Sequence, residues 1–218
     1  MHIPSFFQVK DMEKIKSFIQ SHSFATVVTT TNEKPIATHI PVNFHQIGDS
    51  YVISGHMAIG NPQWKTFEEN KKVLVIFQGP HAYISSSWYE KEAVPTWNYQ
   101  AVHVYGKAAL LEKSELVKEL TAMLETYESH RDQPVLWDTL SEELLEKQMK
   151  GIVGFKIIIN EVQAAFKLSQ NRHERDYARI IEQLEAEGEV EMAAAMKREK
   201  RIYEKSTLKK KSAFVVIL

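Results

Sequence analysis

Short runs of β-branched and aromatic residues, separated by turn residues at close spacing, predict a mainly β protein of the α+β class, a small antiparallel barrel with flanking helices. Two further observations shape that expectation. Helix-start signals interrupt the strand series at Asp11, at Asn61-Pro62 and at Ser141. From Arg172 onward the composition turns charged and helical in period.

In chain order, Asp11 caps a first helix with Met12, Ile15, Phe18 and Ile19 on one face. FATVVTT (24–30) and PIATHIPVNFH (35–45) flank TNEK and read as a hairpin. YVISGH (51–56) follows the Gly48-Asp49 turn, and KVLVIFQ (72–78) and AYISSSW (82–88) read as two further strands. NYQAVHVYGKAALL (98–111) and GIVGFKIIINEVQAAFKL (151–168) form the last pair, the latter expected to break near Asn160-Glu161.

Among the helices, NPQWKTFEEN starts with Asn61 at the N-cap and Pro62 in the first turn. A longer helix is expected from Ser114 to His130, with Leu116, Leu120, Met123, Leu124 and Tyr127 on its apolar face. A third, from Ser141 to Lys150, is ended by Gly151. Tyr177, Ile180, Ile181 and Leu184 then recur at helical spacing, and after a break at Gly188 a second helix carries Val190, Ala193, Ala194 and Met196. The expected organisation is a barrel domain over 1–171, a helical pair over 172–204 docked on the barrel or on a partner subunit, and a basic, then apolar tail over 205–218, read as disordered.

The totals exclude several classes. A chain of 218 residues with 44% hydrophobic and 25% charged residues can build a proper core. A net charge of −1 gives no global attraction to nucleic acid or anionic membrane. With no cysteine there is no disulfide framework and no thiolate site. The nine histidines show no paired helical spacing, so no metal site is expected. No stretch approaches the roughly 20 apolar residues of a membrane span, and MHIPSFFQVKDMEKIK is no secretory signal, so a cytoplasmic protein is expected.

Three stretches can carry chemistry. In ISGHMAIGNPQW (53–64) a strand delivers His56, small residues follow, and a helix begins. Its free amides suit an anion, or the stretch is an ordinary strand-to-helix turn. In KLSQNR (167–172) donors and acceptors of every kind adjoin Arg172, which can hold a phosphate or carboxylate, or the run merely caps the following helix. In AVPTWNYQAVHVYG (93–106) Trp97 and Tyr99 can stack on a planar ring while Asn98 reads its edge, or the aromatics pack a loop or an interface. Thr38 and His39 are also candidates, but alternation points them to opposite faces.

Set side by side, ATHIP (37–41), SGHMAIGNPQW (54–64), FQGPHAYISSSWY (77–89), VPTWNYQAVHVYG (94–106), KGIVGFKI (150–157) and KLSQNR (167–172) resemble the PaiB family in order and content. The resemblance implies a six-stranded antiparallel FMN-binding split barrel that forms a homodimer with two flavin sites at its seam. It implies that His56, Met57, Ala58 and Asn61 lie beside the flavin phosphate and Trp97, Asn98 and Tyr99 near the ring. Thr38, His39, Trp64, Lys167, Gln170, Asn171 and Arg172 complete the cofactor-binding set. Where many relatives carry a basic residue this chain has Ile59, which removes a charge-assisted contact of about 1.5–3 kcal/mol; Arg172 or Lys167 would then supply the cation.

The family resemblance further implies a negative transcriptional regulator of sporulation and degradative-enzyme (protease) genes. The alternative is a flavin-dependent oxidoreductase, resembling an FMN reductase, that acts on a small acceptor. Direct DNA contact would fall to residues 197–211, where eight basic and two acidic residues leave a locally positive arm.

Overall fold

The computed structural model describes residues 1–69 and 71–200. The tail over 205–218 and most of the basic arm lie outside them. Among the described residues seven strands, β1 (Gln8–Val9), β2 (Phe24–Thr31), β3 (Lys34–Ile47), β4 (Ser50–Ala58), β5 (Lys72–Ile84), β6 (Thr96–Leu110) and β7 (Ile152–Lys167), form one sheet in the order β1-β7-β4-β3-β2-β5-β6. β7 also pairs with β6, so the order returns on itself. Every pairing with a defined register is antiparallel, and the fold is the expected split barrel with one two-residue strand added at β1.

Local chemistry explains most boundaries. The Asp11 carboxylate accepts from the Glu13 and Lys14 amides and starts α1 (Met12–Ser21). The β2–β3 turn places Asn32 and Glu33 at positive φ, the geometry a tight hairpin requires. α3 (Lys113–Glu128) starts one residue before the expected position, with the Glu115 carboxylate accepting from the Glu112 amide. Ser141 caps α4 (Glu142–Met149), and α5 (Glu174–Ala186) ends ahead of Gly188 at φ +83°. A sixth helix, α6, runs over 190–200.

Three expectations change. Residues 72–84 are one strand, not two, and 86–88 is a 3₁₀ turn, because Ser85 caps it through the Ser87 amide. β7 continues unbroken through Asn160-Glu161, whose side chains stay exposed while the ladder carries on. The helix after Asn61 is a four-residue 3₁₀ turn, Pro62–Lys65, followed by α2 (Thr66–Glu69).

The backbone separates into two compact units. Of the described residues, a central unit holds those of Asp11–Phe77 and Val102–Gln163; a terminal unit holds Met1–Lys10, Gln78–Ala101 and 164–200. The central unit buries Val27, Ile53, Phe67, Val75, Phe77 and Phe155, with Phe67 and Phe155 ring centroids 5.1 Å apart. Each such side chain removed from water contributes about 1.5–3 kcal/mol. At Gly106 the backbone of β6 passes so close to β7 that a methyl would meet the Ile158 carbonyl. The terminal unit buries Leu168, Tyr177, Ile180, Leu184, Met192 and Met196, and the Tyr177 hydroxyl donates to the Met196 carbonyl at 2.7 Å.

Candidate functional site

In the central unit β4 delivers His56, Met57 and Ala58. Alternation turns Met57 into the core, where it is buried, and leaves Ala58 exposed at the strand end. His56 shares its face with Ser54. Its Nδ1 is buried without a hydrogen-bond partner, and burial pushes its imidazole below the ordinary value, opposed by the nearby Glu119 charge.

The following loop is tied down by its own amides. Ile59 N donates to Gly151 O at 2.8 Å, Asn61 N to Ala58 O at 2.9 Å, and Gln63 N to the Asn61 side-chain oxygen at 3.0 Å. The anion cradle expected of free amides here is therefore largely spent inside the protein. Asn61 Nδ2 donates to Thr38 Oγ1 at 2.8 Å, and Thr38 Oγ1 donates to Gln63 Oε1 at 2.5 Å. Gln63, buried, donates onward to Val27 O at 2.9 Å and Thr29 Oγ1 at 3.1 Å. Trp64 Nε1 closes the loop on Ile59 O at 3.0 Å. His39 lies on the opposite face from Thr38, its Nδ1 2.9 Å from Thr26 Oγ1.

That opposite face is apolar. Register places Phe24 beside Pro41, and Val28 between Ala37 and Leu74, with Thr26 between His39 and Ile76. All of these are exposed or half-buried, Phe24 at 68% exposure.

Beneath α3 sits a second polar cluster that sequence reasoning missed. Glu119, buried at 5% exposure, accepts from Asn43 Nδ2 at 2.7 Å, from the Ser54 hydroxyl, and from His45 Nε2 at 3.4 Å. Burial alone would push the Glu119 carboxyl up, but the bonds from His45, Ser54 and Asn43 outweigh it and hold it below the ordinary value. On the same helix Glu115 pairs with Lys156 of β7.

In the terminal unit Trp97 points outward, 54% exposed, edge-on to Tyr83 at 6.0 Å and 6.3 Å from the His81 ring. Tyr99 follows on the same side, half-buried. Asn98 turns inward and is fully buried. Its amide nitrogen donates to Ser169 Oγ at 2.9 Å, and Ser169 Oγ donates back to Asn98 Oδ1 at 3.2 Å. Its amide is thus committed inside the protein, and Ser169, at φ +59°, is the partner that sequence reading did not single out.

At the end of β7, Lys167 Nζ donates to Thr96 Oγ1, next in sequence to Trp97, and lies over the Phe7 ring. Gln170 is spent locally: its oxygen accepts from Leu168 N at 2.7 Å and its nitrogen donates to Phe166 O. Asn171 is exposed. The Arg172 guanidinium stacks 4.4 Å from the centroid of Tyr89, a buried ring whose hydroxyl has no partner. Burial pushes the Lys167 ammonium down, and the Arg172 charge adds to the effect. Among the described residues neither cation has a carboxylate partner.

Comparisons with known proteins are consistent in direction. Residues 1–161 match the model of the family described as "Putative FMN-binding domain". The chain is 64% identical over 187 residues to the "Protease synthase and sporulation protein PAI 2" of Bacillus subtilis (strain 168), covering 86% of this chain and 90% of that one. It is 30% identical to an uncharacterized protein of Aspergillus fumigatus, covering 73% of this chain and 74% of the other. Among solved structures, the FAD and heme binding protein from Mycobacterium smegmatis aligns with a TM-score of 0.55 at 16% identity, covering 78% of each chain. The flavocytochrome Anf3 from Azotobacter vinelandii aligns with a TM-score of 0.55 at 19% identity, covering 81% of this chain and 78% of that one. At those identities the structural likeness speaks for the fold alone.

Proposed function

The chain belongs to the PaiB family of FMN-binding-domain proteins, and from that premise we propose that it holds FMN and acts as a homodimeric, cytoplasmic negative regulator of sporulation and protease genes. One observation carries the cofactor reading: Lys167 and Arg172 are two cations in one unit with no carboxylate to neutralise them among the described residues, and the partner of Lys167 adjoins the outward ring of Trp97. That donor set fits a phosphorylated, planar ligand. The buried, unpartnered Tyr89 hydroxyl is a further group in the same unit whose hydrogen bond such a ligand would satisfy.

Lys167 and Arg172 would hold the phosphate, and Trp97 and Tyr99 would flank the ring. Thr38, Asn61 and Trp64 fix the loop after β4 instead of spending free atoms on a ligand, and Asn98 fixes the β7 turn through Ser169. When bound, FMN supplies a reducible heterocycle. The apolar face of Phe24, Val28, Ala37, Pro41, Leu74 and Ile76 supports a second copy as its cover. Among the described residues no helix is long and apolar enough to cross a membrane.

The direct-DNA arm is mostly outside the described residues. Of its described cations, Lys197 pairs with Glu185 and Lys200 with Glu174, so part of its charge is already neutralised. The test of the cofactor reading is titration with FMN followed in the visible spectrum. A saturable spectral shift is expected, weakened about 10- to 100-fold by Lys167→Met or Arg172→Met, the effect of losing one charge-assisted contact. No shift, or variants that bind as tightly as the parent, refutes it. For regulation, deleting the gene should raise expression from sporulation and protease promoters. Removing residues 197–218 should flatten the salt dependence of any DNA binding.

A further inference from the structure

Residues 121–153 contain no buried side chain, although Met123, Leu124, Leu140, Leu144 and Met149 lie among them. Part of this apolar surface lines a cleft of about 390 Å³ between α3 and the segment that leads into and through α4. Its walls are Val117, Trp137, Leu140, Leu145 and Met149. Asp138, Glu142 and Glu146 also line it, against a single lysine, Lys113. Among the described residues none of the three carboxylates is in an ion pair.

We propose that this cleft is a binding site for a small organic cation, an aliphatic or aromatic body ending in an ammonium group. The volume falls within the range of small-molecule sites, which join mostly apolar walls to a few polar groups. The walls remove the body of the ligand from water. Three carboxylates against one lysine select a positive end over a neutral or negative one, and the Trp137 indole lines the same cleft. The site lies wholly within the central unit and uses none of the residues assigned to FMN, so the two readings stand or fall separately.

The test uses the full chain and three probes that share a phenethyl body, phenethylammonium, 2-phenylethanol and 3-phenylpropanoate, followed by calorimetry and tryptophan fluorescence. Saturable binding of the ammonium probe is expected, about tenfold tighter than the alcohol, with the carboxylate weaker than both. Combining Glu142→Gln with Glu146→Gln should remove most of the preference for the ammonium and leave the alcohol unchanged. Both side chains are exposed, so folding should survive, and a thermal melt checks it. Trp137→Leu should weaken ammonium and alcohol alike. Equal binding of ammonium and alcohol, no saturation by the ammonium, or a preference that survives the double substitution would overturn the proposal. Saturation of the cleft by a basic amphipathic peptide but not by the ammonium would overturn it too, in favour of a protein partner.

Discussion

Replacing Glu119 with Leu should cost about 3 kcal/mol of folding stability. The carboxylate is buried and accepts from Asn43, Ser54 and His45, so its removal leaves three donors facing an apolar side chain. Asn43 and His45 are half-buried and can recover water; Ser54 is buried, cannot, and is left with His45 Nε2, 2.7 Å away, as its remaining side-chain partner. Taking the charged acceptor from a buried hydroxyl costs about 1–3 kcal/mol, and two partly rehydrated donors add a fraction each. In a chain of this length the melting temperature should fall by roughly 6–12 °C. Urea unfolding at pH 7 measures the loss directly. Because the bonds hold the carboxyl below its ordinary value of 4.5, its ionisation contributes stability that is complete above that pH and fades as pH falls through the lower folded value. The gap between parent and variant should therefore narrow in acid. A loss below about 1 kcal/mol at pH 7, or a gap that widens in acid, would refute the reasoning.

Three further outcomes follow from the same geometry. His56 is kept neutral by burial, so its contribution is full above about 6.5 and is lost as pH falls below it; His56→Asn should shrink the stability lost between neutral and mildly acidic pH in chemical denaturation. Gln63→Leu strands the Thr38 and Thr29 hydroxyls and the Val27 carbonyl, and should cost about 2–3 kcal/mol in urea while Asn61 still caps the 3₁₀ turn. Gly106→Ala drives a methyl against the Ile158 carbonyl and the Ile157 side chain, and should cost about 1–3 kcal/mol, readable as a lower melting temperature.

The parts of the fold legible in the sequence were those governed by near neighbours. Asp11, Ser141 and Asn61 act on amides two or three residues away, and the alternation in FATVVTT reports a face that one strand decides alone. The less legible parts depend on distant partners. Nothing local says that Asn98 will meet Ser169, 71 positions along, or that QGPH will stay extended inside β5. Glu119 did leave a signal: it sits between Leu116 and Leu120 on the apolar stripe of α3, where a carboxylate implies buried donors opposite. Gln63 had none, since a glutamine after Asn61-Pro62 reads as solvent-facing until β2 and β3 are seen around it.

The stretch over 121–153 carries a consequence for how the protein opens. Segments with few buried groups open at a small fraction of the global unfolding energy. Amide protons there should exchange with deuterium well before those of β2 or β4, and among the described residues a protease should make its first cut near Asp132-Gln133-Pro134 while β2 and β4 stay protected.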